Sequence, residues 1–324
     1  MSREPVLSVR DLTKTFKVRE RGFFAKKQDL HALRSVSIDL FEGETLGVIG
    51  ESGCGKSTLG KCIVRLHKPT SGSIMYKGVD IAKATLDEVK PFRKDIQMIF
   101  QDPFSSLDLR MTAIQSIEEA LIIHNIEADK KKRTQMALDI LKEVGLDAQY
   151  ANRYPHEFSG GQRQRINIGR AIALQPKIIV CDEPVSALDV SIQAQVINLL
   201  KEIQRERKLT YLFISHDLSV VRHMSDRIAI MYLGQLVEVC RSEEIYRKPL
   251  HPYTKALLSA IPPESPFEEK QKIQLTGDVP SPIGIKNECA FASRCPYVKP
   301  ECKQGIPQLK TIDGDHQVAC KLFE

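Results

Sequence analysis

The stretch Gly50-Glu51-Ser52-Gly53-Cys54-Gly55-Lys56-Ser57 decides how the rest of the chain is read. An apolar run, Glu44-Thr45-Leu46-Gly47-Val48-Ile49, leads into it, and the residues from Lys56 to Leu66 leave it with apolar side chains at helical spacing. Strand, glycine-rich loop and helix in that order are the context a G-x-x-x-x-G-K-[ST] phosphate loop requires. Glycine tolerates the dihedral angles that wrap backbone around a phosphate and aim its N–H groups inward. The helix starting near Lys56 adds the positive end of its dipole. Gly50, Ser52, Gly53, Cys54, Gly55 and Thr58 are therefore expected around the phosphates of a nucleotide. Lys56 should reach the β- and γ-phosphates, and the Ser57 hydroxyl should bind Mg2+.

A second motif supplies carboxylates. Ile178-Ile179-Val180-Cys181-Asp182-Glu183 reads as a buried strand ending in two acids. Asp182 at the strand end suits Mg2+, and Glu183 can project toward the water that attacks a γ-phosphate. Further strands are expected near 6–18, 32–41, 96–100, 177–181 and 211–215, with an amphipathic helix around 191–206 and a mainly helical stretch from about 103 to 175. Strands alternating with helices imply an α/β fold, a parallel sheet with a helical insertion.

Composition narrows the function. The chain has 324 residues, 42% hydrophobic and 27% charged, as an ordinary globular protein has. No run approaches the ~20 apolar residues that cross a bilayer, and Met1 to Val18 shows no signal-peptide core. The chain is expected in the cytosol unless a partner holds it at a membrane. A net charge of +6 is mild for this length, and Lys130-Lys131-Lys132-Arg133 reads as the solvated start of a helix carrying Met136, Ile140, Leu141 and Val144, stopped by Gly145. With no Trp and few aromatics interleaved among them, the basic residues do not read as a stacking platform for single strands, so nucleic acid is not expected.

Phe158-Ser159-Gly160-Gly161-Gln162-Arg163-Gln164-Arg165 makes the reading specific. It resembles the signature of ATP-binding-cassette (ABC) ATPases, with Phe158 replacing the usual leucine. Gln101 in Ile99-Phe100-Gln101-Asp102-Pro103 resembles the Q-loop glutamine, Ser186-Ala187-Leu188-Asp189 the D-loop, His216 in Ile214-Ser215-His216-Asp217 the switch histidine, and Phe16 the aromatic that stacks on adenine. Each has a plainer alternative: Ser159 as a helix N-cap, Phe16 as core. The resemblance implies a RecA-like nucleotide-binding domain over residues 1–250, with an N-terminal antiparallel β subdomain and a helical subdomain at about 102–175. It also implies a head-to-tail dimer, each ATP lying between the phosphate loop of one subunit and Ser159, Gly160, Gly161, Gln162 and Asp189 of the other. Glu183, His216 and Gln101 would carry catalysis, and Ser57, Gln101 and Asp182 would hold Mg2+.

Residues 251–324 read differently. From residue 249 onward lie ten of the 17 prolines, which argues for a linker and a small, loop-rich unit. His251-Pro252-Tyr253-Thr254-Lys255-Ala256-Leu257-Leu258 and Cys289-Ala290-Phe291-Ala292-Ser293-Arg294-Cys295-Pro296 resemble the tail of oligopeptide and dipeptide importer ATPases, and the loop at 21–29 resembles the second ATPase of a two-ATPase system. Nickel and glutathione importers share related tails. The implied partners are a second ABC ATPase or a second copy, two membrane permeases and, indirectly, an extracytoplasmic binding protein, with this chain on the cytoplasmic face of the membrane. Soluble ABC ATPases of DNA or the ribosome differ in having two cassettes or long insertions. Cys54, Cys62, Cys181 and Cys240 stand singly in apolar or glycine-rich surroundings and read as small hydrophobes. Cys289, Cys295, Cys302 and Cys320 instead form a Cys-x5-Cys-x6-Cys-x17-Cys group that suits a [4Fe–4S] cluster, with zinc or unliganded thiols as alternatives. His316, close to Cys320, could substitute as a ligand but is expected at the surface.

Overall fold

The computed structural model describes residues 4–19, 27–261, 273–275 and 277–324. Residues 21–26 of the loop read as a two-ATPase mark, and Pro262, Pro263 and Pro266, lie outside the described residues. The chain forms two compact units, one of Met1–Leu40, Thr45–Lys83 and Ser215–Glu324, the other of Phe41–Glu44 and Ala84–Ile214. The cysteine-rich tail thus shares a unit with the phosphate loop.

The first unit opens with β1 (Pro5–Arg19), β2 (Lys27–Phe41), β3 (Thr45–Ile49), α1 (Lys56–Ile63), β4 (Ser71–Tyr76) and β5 (Val79–Asp80). The order β2-β1-β4-β5 makes an N-terminal sheet whose β1 and β4 run antiparallel, Leu7 facing Tyr76. Leu7 and Val9, two apart, and Val36, Ile38 and Leu40, also two apart, are buried, as a one-faced strand requires. All five residues of β3 are buried, so its side chains pack on both faces.

The second unit runs α2 (Leu86–Val89), β6 (Ile96–Ile99), α3 (Ala113–Ile123), α4 (Lys130–Glu143), α5 (Gly160–Ile172), β7 (Ile178–Asp182), α6 (Val190–Arg207) and β8 (Thr210–Ile214). Its strands β8-β7-β6 are parallel, with Ile178 facing Thr210 and Ile96 facing Ile178. The basic run does open a helix: Asp129 accepts a hydrogen bond from the Lys132 N–H, and Ala137, Ile140 and Leu141 are buried. Gly145, at φ +73°, ends it.

The first unit resumes with α7 (Leu218–Met224), β9 (Arg227–Tyr232), β10 (Gln235–Arg241), α8 (Ser242–Arg247), α9 (Pro252–Ser259), β11 (Lys310–Asp313) and β12 (His316–Val318). Here β3 and β9 are parallel, while β10, β12 and β11 follow antiparallel. The tail therefore contributes two strands, Glu238 facing Val318 across β10 and β12. It also runs back to β2, where the His31 N–H donates to the Pro282 carbonyl and Arg34 to the Lys286 carbonyl.

His316 is not at the surface; it is 4% exposed. Its Nε2 lies 2.7 Å from Oε1 of the fully buried Glu238, which also accepts the Leu250 and His251 N–H groups. The sequence misled because a lone His in a polar stretch gives no sign of the acid it faces, 78 positions earlier. His251 is buried too, its Nδ1 accepting the Tyr253 N–H to cap α9. Burial lowers its pKa to about 3.

Glu238→Ala should destabilise the protein by about 3 kcal/mol in urea unfolding, because the donors it satisfies stay buried. Since His251 is neutral when folded and titrates near 6.5 when unfolded, stability should fall as pH drops from about 6.5 toward about 3. Its share of the slope is about 1.4 kcal/mol per pH unit. His251→Ser, which keeps a capping oxygen, should flatten that slope in unfolding curves taken across the window.

Candidate functional site

The phosphate loop occupies the turn from β3 into α1. Lys56 is only 5% exposed, and its Nζ donates to the carbonyls of Gly50 (2.7 Å) and Glu51 (3.1 Å). The ammonium is thus held over the loop by backbone oxygens, the kind of partner that phosphate oxygens can replace. Gly55 caps α1 at φ +107°, with no side-chain cap on the first N–H groups of the helix. A Cβ there would meet the Ala32 carbonyl oxygen at 2.3 Å, so only glycine fits. Ser52 and Gly53 are exposed, Ser57 and Thr58 half-buried, and Cys54 buried with its Sγ 3.9 Å from Lys56 Nζ.

Two further residues of this unit were expected at the nucleotide. His216 is exposed, just after β8 and one residue before Asp217, whose carboxylate accepts the Ser219 and Val220 N–H groups to start α7. Phe16 is half-buried on β1, its ring edge-on to His67 with centroids 5.4 Å apart and Lys14 Nζ 4.7 Å from its centre.

In the other unit, Asp182 ends β7 and is 3% exposed. Glu183 takes φ +48°, a left-handed backbone that costs a non-glycine residue on the order of 1 kcal/mol. It is fixed by its N–H on the Ile214 carbonyl and by Gln101 Nε2 donating to its Oε2 at 2.9 Å. The structure thus brings together the two residues expected to act on the γ-phosphate side, 82 positions apart.

The signature residues open α5. Ser159 accepts the Gln162 N–H while Gln162 Oε1 accepts the Ser159 N–H, so the capping alternative is realised. Ser159 is exposed, and a Cβ on Gly161 would lie 2.3 Å from Ile192 Cγ2. The helix end is therefore pressed against the start of α6, just past Asp189, which is exposed and stands at the N-cap position of that helix without a side-chain capping bond. Phe158 is buried with its ring 6.3 Å from Tyr150. Farther along α5, Asn167 donates to the Pro103 carbonyl and Arg170 to that of Ser106, joining the helix to the segment after Gln101.

All four tail cysteines are free of disulfides. Burial raises the thiol pKa of Cys289, Cys295 and Cys320, and the backbone amides of Phe291, Tyr297 and Leu322, each two residues on, oppose that rise. The Lys299 N–H donates to Cys302 Sγ at 3.5 Å. Burial, with smaller contributions from the neighbouring Cys302, Cys320 and Cys295, pushes the Cys289 thiol up to about 11. Among the described residues no three of these four sulfurs lie within 4.8 Å of one another; the atoms that do are those of Cys240, Glu244 and His316. There, His316 Nε2 faces Glu238 and the Cys240 thiol donates to the Arg241 carbonyl.

Sequence reasoning gave no role to Glu51 or Arg294. Arg294 Nη1 lies 3.0 and 3.2 Å from the two carboxylate oxygens of Glu51, and the Glu51 N–H donates to the Tyr253 hydroxyl at 3.0 Å. A charged residue inside a phosphate loop and an Arg beside a tail cysteine were the available signals.

Comparison with known proteins places the chain. Residues 33–186 match the family model described as ABC transporter, and residues 237–302 match the oligopeptide/dipeptide transporter C-terminal region. The oligopeptide transport ATP-binding protein AppF of Bacillus subtilis (strain 168) is 51% identical, over 99% of this chain and 98% of that protein. The oligopeptide transport ATP-binding protein OppF of Salmonella typhimurium (strain LT2) is 49% identical, over 98% and 96%. The ATP-binding cassette MJ0796, solved as a dimer in a post-hydrolysis state with ADP and Pi, superposes with a TM-score of 0.66 at 32% identity, over 73% of this chain and 98% of that one. No helix among the described residues is long and apolar enough to cross a membrane. The chain is an ATPase of the ABC transporter family and belongs to its oligopeptide and dipeptide branch.

Proposed function

We propose that this chain energises import of oligopeptides or dipeptides through separate permease subunits, by hydrolysing ATP held in a head-to-tail ATPase dimer at the cytoplasmic face of the membrane. Residues 1–250 would form the cassette, with its helical subdomain at about 102–175, and 251–324 the transporter-type extension. The observation that carries the catalytic half is the Glu183 carboxylate, held at 2.9 Å by Gln101 on a strained left-handed backbone. The peptide cargo rests on the names of the full-length relatives and on the matched C-terminal region.

Each residue has a role that its position supports. The loop from Gly50 to Thr58 wraps the phosphates, Lys56 exchanging its carbonyl partners for β- and γ-phosphate oxygens. Phe16 stacks on the adenine. Ser57, Gln101 and Asp182 hold Mg2+, which when bound neutralises charge developing on the transferred phosphoryl group. Glu183 accepts a proton from, or orients, the attacking water, and His216 steadies the γ-phosphate. The N-terminus of α5, from the exposed Ser159 through Gln162, and Asp189 beside it face the ATP of the partner subunit. We infer a second, related ATPase as that partner. Gln101 would report the state of the nucleotide to the helical segment, since the carbonyls of Pro103 and Ser106 are tied to α5.

The four tail thiols fit a [4Fe–4S] cluster. Cys302 Sγ accepts the Lys299 N–H, and a backbone amide two residues on favours the thiolate at each of the other three, as suits ligating sulfurs. No three of the sulfurs are gathered as closely as the ~3.8 Å edge of a tetrahedron with zinc–sulfur arms of about 2.3 Å would gather them. When bound, the cluster would supply cross-links to a tail too small to build a large core of its own.

Glu183→Gln should lower steady-state ATP hydrolysis by roughly 10²–10⁴-fold while leaving ATP-driven association of the ATPase subunits intact in size-exclusion chromatography. Normal hydrolysis by that variant would refute the assignment. Anaerobically purified protein should contain iron and acid-labile sulfide in equal amounts and absorb broadly in the visible. Protein with neither would remove the cluster, and stoichiometric zinc would replace it.

A further inference from the structure

Arg294 is the feature that neither the nucleotide chemistry nor the cysteine group accounts for. Its side chain is 9% exposed, and a guanidinium so buried needs a charged partner. The partner is Glu51, the second residue of the phosphate loop, reached at 3.0 and 3.2 Å through Nη1, which also approaches the Tyr232 hydroxyl at 3.4 Å. Arg294 Nε is buried with no hydrogen-bond partner among the described residues. The group is therefore placed for Glu51 at the expense of its own full satisfaction.

Glu51 is gripped at three points. Its carboxylate meets Arg294, its N–H donates to Tyr253, and its carbonyl accepts from Lys56 Nζ. The first two grips come from the C-terminal part of the chain, and the third is the lysine expected to reach the phosphates. Behind them stands an aromatic cluster: Tyr232 and Tyr253 have centroids 4.7 Å apart, with Phe291 5.3 and 5.5 Å from them, all three essentially buried. Phe291 and Arg294 belong to one tight turn, closed by the Arg294 N–H on the Phe291 carbonyl. Cys289 and Cys295 flank that turn. What fixes those two cysteines also fixes the guanidinium next to them.

We propose that Arg294 is a positioning residue of the nucleotide site, through which the C-terminal cysteine module clamps Glu51 and holds the phosphate loop in its phosphate-binding conformation. The clamp pre-organises the backbone around Lys56, so removing it should weaken nucleotide binding more than it slows the chemical step. This rests on the reading of residues 50–58 as the nucleotide site, but not on the identity of whatever the cysteines bind.

The test uses the full-length protein and a fluorescent ATP analogue with Mg2+. Arg294→Gln should raise the Kd about tenfold and KM for ATP in parallel, with kcat changing less than about threefold and iron content unchanged. Arg294→Lys, which restores the charge but not the planar fork, should recover part of the affinity. The Glu51→Gln and Arg294→Gln losses should be less than additive in the double variant, because the two residues act as a pair. Melting curves of every variant separate unfolding from weakened binding. Unchanged affinity in Arg294→Gln overturns the proposal, as does a loss that tracks the melting temperature and is not rescued by lysine. Wild-type protein that binds no nucleotide would bring down the site reading and the clamp together; wild-type binding with an unaffected Arg294→Gln brings down the clamp alone.

Discussion

A buried ammonium must have oxygens around it, and Lys56 has them in the carbonyls of Gly50 and Glu51. That requirement fixes the loop as a ring folded over its own lysine. The ring in turn explains the surrounding constraints: a left-handed Gly55 whose Cβ would strike the Ala32 carbonyl, and a fully buried β3 to anchor one end. A loop that already presents its carbonyls to a cation is close to the arrangement in which its N–H groups face an anion. Little conformational entropy then remains to be lost when the anion arrives.

The second unit answers with a different device. Glu183 lies in a backbone region that glycine would occupy at lower energy, so its side chain is retained at a cost in strain. The hydrogen bond from Gln101 and the N–H contact to Ile214 hold it there. Gln101 is exposed and begins the segment whose carbonyls α5 grips through Asn167 and Arg170. The acid, the glutamine and the signature helix are thereby linked through hydrogen bonds inside one compact unit. A change felt at Glu183 has a short path to the exposed end at Ser159.

The parts of this architecture that were legible in the sequence are those with local signals. Short apolar runs at 44–49, 177–181 and 211–215 read as strands, which the structure forms at 45–49, 178–182 and 210–214, and Ser159 as an N-cap needs only the turn that follows it. The nucleotide motifs were legible because each packs its chemistry into a few consecutive residues. What was lost is whatever depends on distant pairing. β11 and β12 are too short and polar to show a period, and β12 exists because β10 offers it an edge. His316 read as surface because its partner Glu238 lies on another strand. Arg294 carried no readable role because its partner is 243 positions away.

The tail shows how a segment with little apolar material is made part of a domain. The apolar cluster at its end is small, Val318 and Cys320 with Leu250 beside them and Phe323 against them. Such a cluster cannot offset the entropy of ordering dozens of loop residues. Polar anchors make up part of the difference: Glu238 gathers two backbone N–H groups and His316, and the Pro282 and Lys286 carbonyls bond to β2. Each anchor is satisfied only while both ends are in place, which makes the tail cooperative with the sheet and not an appendage to it. That cooperativity gives the cysteine group its leverage. A cross-link among Cys289, Cys295, Cys302 and Cys320 would shorten the loops that the anchors must otherwise hold, and the strain or slack it sets would be carried to the same sheet that supports the phosphate loop.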